Sequence, residues 1–155
     1  MLISFIRKAL RIKMSLYITY CKKKGLTLGK DVRIMKGTSF GSEPYLVNIG
    51  DEVTISFEVA FITHDGATWV FRDRDRSISK LAPISIGKRS FIGARAIILP
   101  GVVVGERSII AAGAVVNKNV PSGEIWGGVP AKKLMELNDY YCKCKGDDFV
   151  KRSID

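Results

Sequence analysis

The sequence predicts an all-β solenoid, a chain wound into stacked coils of very short parallel strands, with a helix at each end. Two columns of residues predict it. Read in sixes from Ile86, the chain runs IGKRSF, IGARAI, ILPGVV, VGERSI, IAAGAV, VNKNVP. The first column is Ile86, Ile92, Ile98, Val104, Ile110 and Val116, all aliphatic. The fifth is Ser90, Ala96, Val102, Ser108, Ala114 and Val120, all small or Val. A helix would space its apolar residues by three and four instead. In a strand, residues two apart share a face, so Ser90 and Ile92 point one way and Phe91 the other. Each six is then a short strand plus a turn. Three sixes close a triangular coil, and stacked coils bury the aliphatic column in a continuous core.

Residues 1–27 form the first segment. They are apolar with interspersed Arg and Lys and favour a basic amphipathic helix. Such a helix either caps the open end of the first coil or lies on an anionic membrane surface through residues 1–24. Capping is the favoured outcome. The solenoid follows over residues 28–130. Its upstream coils show in Leu28-Gly29 to Ser39 and in Ile49-Gly50 to Ala60, with a small break over Phe40–Asn48 that looks like a corner insertion. Gly87, Gly93 and Gly105 follow the aliphatic position, where a sharp turn tolerates a residue without a Cβ.

The repeat stops at Phe61-Ile-Thr-His64-Asp65-Gly66 and resumes at Ile84. Residues 67–83, ATWVFRDRDRSISKLAP, form an excursion too long for a plain corner. Trp69, Val70 and Phe71 give it something to pack, so an ordered arm is expected. Its RDRDR run reads as a solvated, self-paired charge run rather than a substrate clamp. Residues 131–155 close the chain, with a helix expected over 133–145 and a frayed end over GDDFVKRSID.

Composition excludes several functions. The net charge is +10, but residues 1–30 carry eight Lys/Arg and no acid, while residues 31–130 carry eleven basic and ten acidic residues. The excess sits on one terminal segment, without the basic-aromatic interleaving of a nucleic-acid surface. Three cysteines, Cys21, Cys142 and Cys144, form no secreted disulfide framework. No signal peptide or membrane-spanning run is apparent, so the cytoplasm is the expected compartment, with the inner membrane face as a peripheral site. A single histidine cannot supply a three-histidine zinc site, and no metal is expected.

That histidine, His64, lies at the root of the arm and can act as a general base near neutral pH. Asp65 and Trp69 stand beside it as candidate contacts to a substrate. Asp65 could also orient the ring, although adjacent side chains on a strand diverge. Glu58, from the preceding turn, is a vaguer candidate for that task.

The hexad columns together with Gly128-Val-Pro-Ala-Lys132 resemble the hexapeptide-repeat acyltransferases. The maltose, galactoside and cell-surface-polysaccharide O-acetyltransferases are the nearest group. The resemblance implies a left-handed parallel β-helix, a homotrimer, acetyl-CoA as acyl donor and a sugar or saccharide acceptor. It matches His64 to the family's catalytic histidine and implies direct transfer rather than a covalent acyl-enzyme. It also places donor contacts at Ala94 and Ala112, with Asn117 and Lys118 at the next turn and Lys132 near a phosphate, Lys133 beside it. The outward strand residues Phe91, Ile97, Val103, Ile109 and Val115 are apolar, which suits burial between subunits. Competing expectations are a non-catalytic binding scaffold and an acetyltransferase with an antibiotic-like acceptor. The serine acetyltransferases fit less well, because their large N-terminal helical domain has no room in residues 1–27.

Overall fold

The computed structural model describes residues 2–146, of which residues 2–12 are described as helix backbone only. Most of the tail expected to fray, from Asp147 on, lies outside the described residues. The chain begins with α1 (Leu2–Lys23) and enters a run of short strands. These are β1 (Thr27–Leu28), β2 (Arg33–Ile34), β3 (Val47–Ile49), β4 (Thr54–Ile55), β5 (Ala60–Phe61), β6 (Ile84–Ile86) and β7 (Phe91–Ile92). Then come β8 (Ile97–Ile98), β9 (Val103–Val104), β10 (Ile109–Ile110), β11 (Val115–Val116) and β12 (Glu124–Gly127). An edge strand, β13 (Lys132–Glu136), and α2 (Leu137–Gly146) complete it.

The strands make three faces. The first is β1, β3, β6 and β9; the second is β2, β4, β7, β10 and β12; the third is β5, β8 and β11. All pairings within these faces are parallel. The chain visits first, second and third face in turn, so it winds as a three-sided coil. In the regular coils the pairing step is 18 residues, as from Ile92 to Ile110 and from Ile98 to Val116. Three sixes per coil thus fix the register.

Both columns read from the sequence line the axis. Ile86, Ile92, Ile98, Val104, Ile110 and Val116 are buried, and so are Ser90, Ala96, Val102, Ser108, Ala114 and Val120. The buried hydroxyls are satisfied: Ser90 Oγ donates to the Gly105 carbonyl at 2.8 Å and accepts the Ser108 N–H at 3.1 Å. Outward residues alternate with this core; Phe91 and Val103 remain exposed, and Ile97, Ile109 and Val115 are half-buried.

The turns work differently from the expectation. The left-handed backbone falls two residues after the glycine column, at Arg89, Arg95 and Arg107 (φ 53–58°). The glycines serve close approach instead. A Cβ on Gly87 or Gly93 would stand 2.5 Å from a backbone nitrogen of the next coil, that of Glu106 or Ala112. Coils stack too closely there for any side chain.

The last turns of α1 cover the open end of the solenoid. Cys21 is fully buried, the Phe40 N–H donates to the Tyr17 hydroxyl at 2.9 Å, and the rings of Tyr17, Phe40 and Phe61 stack in sequence. The other end departs from expectation. The helix expected over 133–145 begins only at Leu137, because residues 132–136 pair antiparallel with β12. Good helix formers there yield to an unpaired sheet edge, which pairing removes.

Candidate active site

Two coils are longer than 18 residues. From Leu28 to its partner Ile49 the step is 21, and from Ile49 to Ile86 it is 37. The third-face partners Phe61 and Ile98 are also 37 apart, so the long extra segment lies between the third face and the first. The short one lies there too, because Ser39 still pairs with Ala60 at a step of 21. Both insertions therefore leave from one corner of the prism, one coil above the other.

The short insertion carries Glu43 and a single 3₁₀ turn, Pro44–Leu46. It lies tightly on the long one: a Cβ on Gly41, whose φ is +68°, would meet Thr63 Oγ1 at 2.9 Å. The buried Thr63 hydroxyl donates to Glu43 Oε2 at 2.6 Å. His64 Nδ1 stands 3.0 Å from the same oxygen. The Thr63 hydroxyl, and after it His64, holds the Glu43 carboxyl below the usual carboxylate range. An ionised carboxylate has no hydrogen to give, so Nδ1 carries the hydrogen of the neutral ring and Nε2 keeps a lone pair. The His64 side chain is 44% exposed and the Glu43 side chain 20%. The imidazole is open to solvent while its anchor is largely covered.

His64 sits in the neck of the arm. It pairs antiparallel with Leu81, flanked by Asp65 N–H to Lys80 carbonyl (2.9 Å) and Ala82 N–H to Thr63 carbonyl (3.1 Å). The free arm is therefore shorter than the expected 67–83. It starts with a 3₁₀ segment, Gly66–Phe71, capped by the Asp65 carboxylate on the Ala67 N–H at 3.0 Å. Asp65 also faces Lys80 Nζ at 3.8 Å. Its side chain is thus spent on the arm, and it does not orient the ring. Glu58 is excluded from that task as well, since it pairs with Arg95 at 2.7 Å on another corner.

Two cavities meet at His64. One, of about 690 Å³, lies under the arm and is lined by Glu43, His64, Trp69, Arg72, Asp75 and Arg76, among others. The other, of about 430 Å³, runs along the corner past Lys80, Leu99 and Pro100 to Asn117. Asp65 touches both and Trp69 only the first. The RDRDR run is not self-paired. Among the described residues no ion pair engages Arg72, Arg74 or Arg76, and Arg72 instead lies over the Trp69 ring at 4.5 Å.

The expected donor contacts are scattered over one chain. Asn117 and the exposed Lys118 share the corner of His64. Ala94 and Ala112 stack on the corner between the second and third faces, where the Gly113 N–H donates to the Ala94 carbonyl at 2.8 Å. They lie across the third face from His64. Lys132 is exposed at the edge strand, opposite Gly127. Lys133 is not free for a phosphate: it is bound by Glu124 at 2.8 Å and by Glu136, and these two carboxylates push its amine up to about 12. The described residues contain no cluster of three or more metal-ligating side chains.

Glu43 is the residue that the sequence reading passed over. Its signal was the register. Counting hexads from Leu28 puts the two breaks on one corner, and Glu43 is the only acid in the first of them.

The three-faced parallel coil is shared with solved acetyltransferases. Residues 83–118 match the family model described as the hexapeptide repeat of succinyl-transferase. Over 134 residues the chain is 48% identical to protein CapG of Staphylococcus aureus, covering 84% of this chain and 78% of that one. It is 36% identical over 106 residues to galactoside O-acetyltransferase of Escherichia coli K12, covering 65% of this chain but only 51% of that protein. A hexapeptide-repeat acetyltransferase of Vibrio cholerae O1, solved with acetyl coenzyme A, superposes with a TM-score of 0.59 at 22% identity, covering 80% of this chain and 78% of that one. The chain belongs to the hexapeptide-repeat acyltransferase family, and it is an enzyme.

Proposed function

We propose that this enzyme moves the acetyl group of acetyl-CoA to a hydroxyl of a saccharide, with an amine as the less favoured nucleophile. The observation that carries the reading is the Glu43–His64 pair where two cavities meet. The acceptor occupies the cavity under the arm, against Trp69 and Asp65. The thioester arm of the donor follows the corner past Asn117, with Lys118 beside it. His64 Nε2 takes the hydroxyl proton as the oxygen attacks the thioester carbonyl. The C–S bond then breaks, and the imidazolium returns its proton to the departing thiolate. Glu43 holds the ring and offsets its positive charge while it lasts. Backbone N–H groups at the corner suit the developing oxyanion.

The separation of Ala94 and Ala112 from His64 is consistent with a homotrimer in which one chain's donor corner faces the next chain's histidine. The exposed Phe91 and Val103 support such burial. The coil is left-handed in this reading, as in the family. Acetyl-CoA and the carboxyl-terminal contact at Lys132 belong to the same proposal. A cytoplasmic location, with peripheral contact at the inner membrane face through residues 1–24, belongs to the same proposal; no described helix is long and apolar enough to cross a membrane.

Thiol release from acetyl-CoA against a panel of mono- and oligosaccharides tests the reading. Saccharide-dependent thiol release that vanishes in His64→Ala is the expected result. Release that ignores the saccharide, or survives the substitution, overturns it.

A further inference from the structure

The arm cavity that His64 lines also carries two arginines without an ion-pair partner among the described residues. Arg72 and Arg76 both line the cavity, and no described carboxylate pairs with either. Arg72 rests on the Trp69 ring at 4.5 Å, which fixes its position without using its N–H donors. Asp75 stands between them in the sequence and lines the same cavity, but it pairs with neither arginine and is held by the arm itself. Its Oδ1 accepts the Ser77 hydroxyl at 2.6 Å and the Ser77 N–H at 2.8 Å. The other acids of the cavity are also engaged, Glu43 by Thr63 and His64 and Asp65 by the arm's own backbone and Lys80. Two planar guanidinium forks are therefore left facing a space large enough for one or two sugar rings.

We infer that the acceptor is an anionic saccharide, whose carboxylate or phosphate is held by Arg72 and Arg76 while a ring hydroxyl meets His64. This rests on the saccharide acetyl-transfer reading above and names its substrate class. Guanidinium groups bind both anions bidentately, so the shared chemistry is a fixed oxyanion at a set reach from the reacting hydroxyl. The donor's own phosphates are a poorer match for these arginines. The second cavity runs from the same histidine down the coil, away from the arm, and it contains none of the arm arginines.

The test uses two matched pairs, galactose with galacturonic acid and glucose with glucose 6-phosphate. Binding to the full chain is titrated by calorimetry at low and high salt, and acetyl transfer is followed by thiol release. At least one anionic member should bind about 10- to 100-fold more tightly than its neutral partner, the worth of a charge-assisted hydrogen bond. That advantage should shrink as salt rises. Whichever pair shows it identifies carboxylate or phosphate as the source. Arg72→Gln with Arg76→Gln should abolish the advantage while leaving coenzyme A affinity and the assembled mass unchanged. Equal binding within both pairs overturns the inference. So does a double variant that loses coenzyme A affinity, which would give the arginines to the donor, or one that loses assembly, which would give them to a subunit contact. Arginine-dependent binding of the anionic sugar without any acetyl transfer would instead sink the transferase reading and leave the anion site standing.

Discussion

Two corners of the prism are built from the same hexads and have opposite characters. At the corner between the first and second faces every coil turns without interruption. Left-handed residues stack there one above another, and Glu52 and Arg89, both at φ near 57°, form a two-point ion pair across adjacent coils. At the corner between the third and first faces the chain leaves twice and returns to the same register. The first corner has no residue to spare, and the cavity that touches it, beside Arg107, Ser122 and Gly123, holds no histidine; the second holds Glu43, His64 and the arm. The contrast teaches that the solenoid separates its tasks. Periodicity builds the core on all three faces, and the proposed chemistry falls where periodicity is suspended.

The largest effect expected from breaking this contrast is at the interrupted corner. His64→Ala should lower kcat for acetyl transfer by roughly 10²–10⁴, the usual worth of a general base. The assembled mass, about 51 kDa by light scattering for the proposed trimer of 17.1 kDa chains, should not change. A variant that falls apart would mean that the histidine is structural.

Next in size is a pair of glycine substitutions that sets one corner against the other. Gly87→Ala puts a Cβ 2.5 Å from the Glu106 nitrogen, and should cost about 1–3 kcal/mol in urea unfolding. Gly66→Ala, at the arm's base, meets nothing within 4 Å and should leave Tm almost unchanged. Equal losses would erase the distinction between a close-packed corner and an open one.

Glu43→Gln should lower kcat by at least about tenfold, because an amide can donate to Nδ1 and so favour the unproductive tautomer. Acetyl-CoA affinity should stay within a few-fold. A pH series sharpens the point. The folded carboxyl of Glu43 lies below its unfolded value, with the Thr63 hydroxyl as the main cause. Its contribution to stability is therefore complete above the usual carboxylate range and is lost as pH falls through the lowered folded value. The Tm gap between wild type and Glu43→Gln should narrow as the pH drops below about 4. A gap that widens instead would mean that Glu43 is not held ionised.

The smallest effect belongs to the regular coils again. Arg95→Ala removes an exposed ion pair with Glu58, and neither Tm nor turnover should move resolvably.

Much of this was legible beforehand because a period of six leaves few alternatives. Both core columns and the excursion after His64 follow from residue spacing. What escaped was of two kinds. Glu43 escaped because a break of three residues looks like ordinary corner slack; only the paired register shows that it lies beside Thr63 and His64. The edge strand at 132–136 escaped because Lys-Lys-Leu-Met-Glu has strong helix propensity, and a sheet edge overrides propensity without leaving a mark in the local sequence. The RDRDR run failed for a third reason. Alternating charges suggest self-pairing, but Trp69 claims Arg72 and Ser77 claims Asp75.

The neck of the arm has a consequence for how such enzymes diversify. Two backbone hydrogen bonds, Asp65 to Lys80 and Ala82 to Thr63, close the arm at its base and hand the chain back to the first face in register. Closing a flexible loop costs only about 0.6 kcal/mol more for each doubling of its length. The segment between these rungs is thus insulated from the folding of the coil. It behaves as a cassette: residues 66–79 can be lengthened, shortened or exchanged wholesale while His64 keeps its place. Under the proposed function, acceptor choice can drift by insertion and deletion at this neck, a kind of mutation that would throw the whole stack out of register almost anywhere else along the solenoid.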